Sequence, residues 1–275
     1  MKTRNDILAE YVRSRYPEIE KTFDDSVNAH KIADVEVGSF LSSGVDSSYV
    51  VKEISKGTKK VKTFSVGYEE EKYSELPYAQ DFSNVIGVPN IANKVSADEF
   101  FDAVPEIQYY MDEPLPNPSE IPLYFLAKNA RRYVKVVLSG EGADELFGGY
   151  RIYHEPYSLA GYQKLPRWLR RAAAAVVGAI PFDFKGKSFL IRGSKTLEER
   201  FIGNANMFSQ KEKARLLRDI PSTEPTAYTA EYYERCQGLD DVSRMQYLDI
   251  NRWMVGDLSL IHISEPTRLA LNSYA

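Results

Sequence analysis

The feature that most constrains the fold is an apolar run that ends in a turn of small residues and leads directly into a helical pattern. Residues 35–41 read as a buried strand, and residues 42–48, the first loop, read Ser-Ser-Gly-Val-Asp-Ser-Ser. Apolar side chains then recur at helical spacing over residues 49–54. Because the first N–H groups of a helix lack intrahelical partners and carry partial positive charge, this turn predicts a pocket for an anion such as phosphate.

Local chemistry leaves two interpretations of the first loop open. In the functional interpretation, Gly44 lets the backbone approach phosphate, the serine hydroxyls donate to its oxygens, and Asp46 either caps the helix or holds Mg²⁺. In the structural interpretation, the segment is an ordinary capped helix after a strand. The loop has neither the Gly-Lys-Ser/Thr ending of a Walker loop nor the three spaced glycines of a dinucleotide fingerprint.

The same arrangement occurs a second time. A strand predicted over residues 134–138 opens into residues 139–150, the second loop, which reads Ser-Gly-Glu-Gly-Ala-Asp-Glu-Leu-Phe-Gly-Gly-Tyr. Because carboxyl ends of parallel strands meet at one edge of a sheet, we expect the two loops to lie at that edge.

The segments between the loops alternate between strands and helices, which predicts βαβ units. The remainder, residues 151–257, lacks strand alternation and predicts helices. The expected fold is a doubly wound, mostly parallel α/β sheet followed by a mainly helical part. The predicted elements are a helix around Ile19, Phe23 and Val27, strands at 61–67 and 91–95, and helices near 75–86, 96–111 (with Ser96 and Glu99 as a capping box) and 119–132.

Composition excludes several classes of protein. The net charge of −4 argues against a nucleic-acid partner, and the short basic cluster at residues 167–171 is interpreted as a solvated helix end. Cys236 is the single cysteine, and no signal peptide or long apolar span is present, so we expect a cytoplasmic protein with no membrane partner. Residues 172–180 are too short to cross a bilayer and predict a buried helix ending near Pro181.

Taken together, the two loops make the chain resemble the synthetase domain of the glutamine-hydrolysing asparagine synthetases. In that family the first loop reads Ser-Gly-Gly-x-Asp-Ser, the pyrophosphate loop of the N-type ATP pyrophosphatases. The family's second loop reads Ser-Gly-Glu-Gly-x-Asp-Glu-x-Phe-Gly-Gly-Tyr, which residues 139–150 match throughout. The similarity covers about residues 19–257, including Asp34-Val35, residues 64–67 and the acidic, proline-rich loop at 112–118.

One position departs from the family pattern. Ser43 stands where the family has its first glycine. A serine costs about 1 kcal/mol there if the position needs a positive φ, and little otherwise. We interpret Ser43 as a neutral substitution.

The resemblance implies an ATP pyrophosphatase, Rossmann-like site with ATP as substrate and Mg²⁺ as metal ion. Asp46 and Asp144 would be the metal ligands, and Glu141 would assist formation of the adenylate or the attack of ammonia. As an alternative, Glu141 and Asp144 are acids that simply start a helix, where they suit its dipole. The nucleotide-binding residues implied are Leu41, Ser42, Gly44, Asp46, Ser47, Ser48, Val66, Gly67, Ser139 and Gly140.

The family's reaction makes asparagine. The β-carboxylate of aspartate attacks the α-phosphorus of ATP, pyrophosphate leaves, and ammonia displaces AMP from the β-aspartyl adenylate. The ammonia comes from glutamine, through an amino-terminal glutaminase domain that we expect to be missing from this chain. The resemblance also allows a homodimer of the full-length parent.

We therefore expect a fragment of a larger enzyme. Its expected parts are a helical lead-in at residues 1–32, an ATP pyrophosphatase domain at 33–150 and a truncated helical part at 151–257. Residues 258–275 resemble translated sequencing-adapter read-through and are expected to be non-native.

Two alternatives stay open at this point. One keeps the fold and changes the carboxylate acceptor, as in the related β-lactam-forming synthetases. The other is an inactive nucleotide-binding module, which the Ser43 substitution and the expected truncation would favour.

Overall fold

The computed structural model of the protein describes residues 4–58, 60–110, 119–203, 208, 210–218 and 223–255. Within these ranges the chain forms two compact units, of residues 4–141 and 142–255, which divide inside the second loop. A domain boundary at residue 150 remains a prediction. The expected acidic loop at 112–118 and the expected tail at 258–275 lie outside the described residues. Helices of the described part are all too short or too polar to cross a bilayer.

The first unit alternates strands and helices as the sequence predicts. The Ser96 and Glu99 capping box is confirmed, because Ser96 N donates to Glu99 Oε2 at 2.9 Å and Glu99 N donates to Ser96 Oγ at 3.2 Å. The elements are α1 (Arg4–His30), β1 (Val37–Phe40), α2 (Val45–Ile54), β2 (Thr63–Tyr68), α3 (Leu76–Ile86), β3 (Asn90–Val95), α4 (Ala97–Tyr110), α5 (Glu120–Ala130) and β4 (Val136–Leu138).

β4 starts two residues later than the strand predicted from residue 134. The physical reason is that Val134 N donates to Ala130 O at 3.0 Å, so this residue still belongs to the turn that ends α5. Its buried side chain packs beside Ala130 and Phe64 rather than extending the strand.

The four strands form one parallel sheet in the order β3-β2-β1-β4. Val37 pairs with Val136, and Ser39 pairs with Leu138. The chain therefore proceeds from β1 to β3 in one direction and then returns to place β4 on the other side of β1. In open α/β sheets this reversal of strand order leaves a crevice between the carboxyl ends of β1 and β4, which is where such folds bind ligands.

Helices cover both faces of the sheet, which confirms the doubly wound α/β prediction. Successive side chains of a strand point to opposite faces. Accordingly, Val137 packs with Ala130 of α5, whereas the adjacent Leu138 packs with Val27 of α1 and Ile54 of α2.

The second unit is built from helices throughout its described length. Its core is formed by Tyr153, Met245 and Leu248, each at most 2% exposed, with Cys236 buried beside them. The elements are α6 (Ala143–Phe147), α7 (Glu155–Gln163), α8 (Arg167–Gly178), α9 (Lys187–Gly193), α10 (Leu197–Arg200), α11 (Gln210–Leu216), α12 (Ala230–Arg235) and α13 (Asp241–Asn251), with short 3₁₀ turns at Arg151–His154 and Pro225–Tyr228.

The helix expected over residues 172–180 forms as α8, but the prediction that it is buried is wrong. None of its residues is buried, and the side chains of Trp168 and Val176 are 71% and 68% exposed. The run of alanines and valines carries apolar side chains around most of the helix, while α8 packs against α9 on one side. The apolar composition of α8 therefore does not predict that the helix is buried.

A buried ion-pair network joins the helices of the second unit. Arg200, whose side chain is 1% exposed, donates through Nε to Glu155 Oε2 at 2.9 Å, and its Nη2 lies 3.5 Å from Asp241 Oδ2. Arg192 also donates to Glu155. Burial raises the pKa of Glu155, but the two guanidinium groups outweigh it and hold the pKa below its usual value.

Candidate active site

The first loop begins where β1 passes into Leu41. Leu41 is 3% exposed, its N–H donates to Phe64 O at 2.8 Å, and its carbonyl accepts from Ser65 Oγ at 2.7 Å. Both backbone groups of Leu41 are thus hydrogen-bonded to residues of β2. Val66 and Gly67 follow on β2, so Leu41, Val66 and Gly67 all lie at the carboxyl edge of the sheet, as the sequence predicts.

The first loop is closed by its own hydroxyl groups. Ser42 Oγ and Ser47 Oγ are 2.8 Å apart, and Ser47 Oγ also accepts from Ser42 N at 3.1 Å. Ser42 Oγ accepts from Gly44 N at 3.0 Å, and Ser47 Oγ donates to Gly44 O at 3.2 Å. Two of the hydroxyls that the resemblance assigns to phosphate, those of Ser42 and Ser47, therefore lie together at the start of α2.

The amino terminus of α2 is capped without a side chain. Gly44 is the N-cap residue, at φ −72° and ψ 151°, and no side chain accepts from the first-turn N–H groups. Asp46 lies in that first turn and is exposed, so the interpretation of Asp46 as the helix cap is wrong. Ser48 begins the regular helix, donating from its N–H to Gly44 O at 3.2 Å.

The second loop touches the first loop backbone to backbone. A Cβ atom added at Gly140 would lie 2.7 Å from Ser47 N and 2.9 Å from the carbonyl carbon of Asp46. Only a residue without a side chain fits this approach. The two residues that flank Gly140 are hydrogen-bonded to each other, since Glu141 N donates to Ser139 Oγ at 3.1 Å. Within the first unit the structure thus brings together the predicted residues Ser42, Gly44, Asp46, Ser47, Ser139 and Gly140.

Asp144 belongs to the second unit, where it lies in the first turn of α6. Its carboxylate rests against Gly149, because a Cβ atom there would lie 1.9 Å from Asp144 Oδ1. Gly149 N also donates to Asp144 O at 2.9 Å. A side chain at Gly149 would therefore collide with this carboxylate.

Behind α6 lies a polar network that sequence reasoning missed. Tyr150 Oη donates to Glu145 Oε1 at 2.8 Å, and Gln246 Nε2 donates to the carbonyl of Glu145 at 2.8 Å. Tyr153 Oη donates to Asp249 Oδ2 at 2.7 Å, and both acids have 0% exposure. One sequence signal could have shown this, since Asp249 falls on the same helical face as Met245, four residues before it.

Tyr150 takes part in this network, whereas the neighbouring Phe147 is largely exposed. Tyr150 packs against the core of the second unit, and burial together with Glu145 raises the pKa of its phenol. Phe147 is 60% exposed.

Asp249 should make the stability of the second unit depend on pH. Burial raises the pKa of its carboxyl to about 7, against the lowering effect of Tyr153 and with a further rise caused by Glu145. In the unfolded chain the pKa is about 4, so the folded state binds this proton more tightly. Protonated Asp249 therefore contributes up to about 4 kcal/mol to the free energy of unfolding. This contribution is fully present below about pH 4 and is lost as the pH rises to about 7.

The Asp249→Asn variant tests this expectation. Urea unfolding of both proteins between about pH 4 and pH 8 should show the variant gaining free energy of unfolding, relative to the original chain, as the pH rises. A difference that does not change with pH would contradict the assignment. Tyr153→Phe, which removes the hydrogen bond but keeps the acid, should retain the pH dependence.

A second residue was missed at the edge of the sheet itself. Glu75 Oε2 accepts from Ser43 N at 3.2 Å, so a carboxylate reaches the first loop from the start of α3. No cluster of three or more His, Cys, Asp or Glu side chains that could hold a metal ion occurs in the described ranges.

The sheet and its loops define the class of protein. A parallel α/β sheet whose strand order reverses beside the amino terminus of α2, with a glycine of the second loop packed on that terminus, is an ATP pyrophosphatase-like arrangement.

Comparison with known proteins gives the family. Residues 18–260 match the asparagine synthase family, and the chain belongs to it. It is 47% identical over 247 residues to a putative glutamine-hydrolysing asparagine synthetase of Mycobacterium bovis, covering 90% of this chain and 38% of that protein. It is 42% identical over 244 residues to asparagine synthetase (glutamine-hydrolysing) 1 of Bacillus subtilis, covering 88% of this chain and 39% of that protein. The chain thus spans less than two-fifths of the length of these relatives.

A more distant relative matches a shorter segment. Asparagine synthetase B (glutamine-hydrolysing) of Escherichia coli is 31% identical over 159 residues, which is 50% of this chain and 28% of that protein.

Proposed function

We propose that the chain is the part of an asparagine synthetase that joins ammonia to aspartate with the use of ATP. An oxygen of the aspartate β-carboxylate attacks the α-phosphorus, the bond to the β-phosphate breaks, and pyrophosphate leaves. Ammonia then attacks the β-carbonyl carbon of the adenylate, loses a proton, and AMP leaves. The names of the relatives support glutamine as the source of the ammonia, supplied by a glutaminase domain of the full-length protein.

The observation that supports this proposal best is the contact of Gly140 with the start of α2. It brings the second loop within van der Waals distance of N–H groups that a helix leaves without partners. A polyphosphate placed at this point meets the positive end of the helix dipole.

The residues of the first loop would bind and orient the departing pyrophosphate. Ser42 and Ser47, which now hydrogen-bond to each other, can each rotate a hydroxyl toward a phosphate oxygen, with Ser48 one position along the helix. Orientation and charge stabilisation are the main contributions a protein makes to phosphoryl and nucleotidyl chemistry.

The other residues at the sheet edge would position the nucleotide and the acceptor. The backbone at Leu41, Val66 and Gly67 would border adenine and ribose, since it lies at the ends of the two neighbouring strands. Ser139 would contact the nucleotide, and the exposed Glu141 carboxylate would help to orient ammonia or accept its proton.

Mg²⁺ fits this site through Asp46. In nucleotide sites Mg²⁺ binds one or two carboxylates together with phosphate oxygens and water, and Asp46 offers an exposed carboxylate within the first turn of α2. When bound, the ion would offset the negative charge of the phosphates. The role of Asp144 as a further ligand remains a prediction from the resemblance.

Asp46→Asn is expected to weaken magnesium-dependent ATP binding by at least about tenfold, because the amide is a poorer ligand for a hard cation. Calorimetric titration with ATP, in excess Mg²⁺ and separately in EDTA, measures the effect. Asp98→Asn is the matched control, since Asp98 is an exposed acid in the first turn of α4. Equal affinity of the original chain and Asp46→Asn for magnesium-ATP would count against the assignment.

The reaction itself is tested with the complete gene product. Labelled pyrophosphate should exchange into ATP when aspartate and Mg²⁺ are present, because formation of the adenylate is reversible. Exchange with another carboxylic acid but not with aspartate would replace the proposal by a synthetase with a different acceptor. Binding of magnesium-ATP without exchange for any acid would indicate an inactive module.

Two further expectations remain predictions. The first is a cytoplasmic location, where a reducing environment would keep the single buried cysteine as a free thiol. The second is a homodimer of the full-length protein.

A further inference from the structure

A carboxylate is hydrogen-bonded to the backbone of the loop that is proposed to bind phosphate. Glu75 Oε2 accepts from Ser43 N at 3.2 Å, and both residues are exposed. Glu75 precedes α3, for which it is the N-cap residue without a side-chain capping bond. Burial raises the pKa of Tyr68, at the end of β2, and the negative charge of Glu75 raises it further. The negative charge of Glu75 therefore lies at the carboxyl edge of the sheet, beside the first loop.

We propose that Glu75 competes with the polyphosphate for the first loop and thereby makes the site select the magnesium complex over the metal-free anion. This inference rests on the proposed function, in which the first loop holds the pyrophosphate portion of ATP. The Glu75 carboxylate accepts from the N–H of Ser43 as a phosphate oxygen would. A bound polyphosphate takes that N–H, and Glu75 then remains close to it as a like charge.

Charge decides between the two forms of the ligand. Metal-free pyrophosphate carries its full negative charge and is repelled by Glu75, whereas Mg²⁺ cancels two of those charges. Because Glu75 is exposed, the repulsion is screened by salt. The selection should therefore be moderate and should weaken as the ionic strength rises.

The test compares the original chain with Glu75→Gln by calorimetric titration with inorganic pyrophosphate at low ionic strength. The amide oxygen of Gln can still accept from Ser43 N, so the variant removes the charge and keeps the geometry. In EDTA we expect Glu75→Gln to bind pyrophosphate about fivefold more tightly than the original chain. In excess Mg²⁺ the two proteins should differ by less than about twofold.

Glu70→Gln is the matched control. Glu70 is an exposed acid five residues earlier on the same connection between β2 and α3, and its substitution changes the net charge equally. It should alter the affinity in EDTA by less than about twofold.

The outcomes separate the inference from the function it rests on. If the original chain binds magnesium pyrophosphate but Glu75→Gln gives no gain in EDTA, the inference is wrong and the proposed function stands. An equal gain for Glu70→Gln would likewise overturn it, since the effect would then come from net charge alone. If the original chain binds pyrophosphate under neither condition, the proposed function fails and the inference fails with it.

Discussion

Gly140→Ala is expected to weaken magnesium-ATP binding by about ten- to a hundredfold, because displacing the loop would break a hydrogen bond to a charged phosphate, which contributes about 1.5–3 kcal/mol. The new methyl group would lie 2.7 Å from Ser47 N and 3.0 Å from Ser47 Cα. Both are backbone atoms, so the clash cannot be relieved by rotating a side chain. Either the second loop or the start of α2 must move.

The measurement for Gly140→Ala is calorimetric titration with magnesium-ATP, together with urea unfolding. Overpacking of this kind also lowers the free energy of unfolding, by about 1–3 kcal/mol. Gly161→Ala is the control, because a Cβ atom at Gly161 in α7 meets nothing within 4 Å. That change should leave ATP binding intact and raise the stability by about 0.5–1 kcal/mol. Unchanged affinity in Gly140→Ala would refute the tight contact between the loops.

Glu155→Gln is expected to lower the free energy of unfolding by about 3 kcal/mol or more. The variant keeps the size of the side chain but removes the charge that faces Arg200 and Arg192. Since the Arg200 side chain is only 1% exposed, its guanidinium would stay buried with Asp241, 3.5 Å away, as its remaining acidic neighbour in the described network.

Glu199→Gln provides the matched comparison for Glu155→Gln. Glu199 pairs with Arg167 at 3.0 Å, but both side chains are at least 40% exposed. Exposed pairs contribute about 0–1 kcal/mol, and glutamine can replace glutamate in the capping box with Thr196. If urea unfolding gives similar losses for the two variants, burial is not what gives Glu155 its importance.

Local patterns in the sequence were sufficient to predict the succession of strands and helices in the first unit. The βαβ alternation depends on periodicity and turn residues, and the capping box depends on two residues three apart, so each can be seen in a short window. The contact between Gly140 and Ser47 could be anticipated only in outline, from the rule that parallel strands end at one edge. The bond from Ser43 to Glu75 could not, because it depends on how α3 begins after β2.

The second unit shows why burial is harder to predict than secondary structure. The apolar sequence of α8 predicted its helix correctly but not its exposure, because exposure depends on which neighbours pack against each side. Asp249 is the reverse case, since an acid, a residue type that ordinarily faces water, is fully buried beside Tyr153. Both outcomes are set by tertiary packing rather than by local pattern.

The hydrogen bonds within the first loop affect the thermodynamics of ligand binding. Ser42, Gly44 and Ser47 already fix the backbone path of the loop before a ligand arrives. Ordering a residue's backbone costs about 1–2 kcal/mol in conformational entropy, and here that loss occurs when the chain folds. A polyphosphate would therefore meet a preorganised loop, and its association should show only a small unfavourable conformational-entropy contribution.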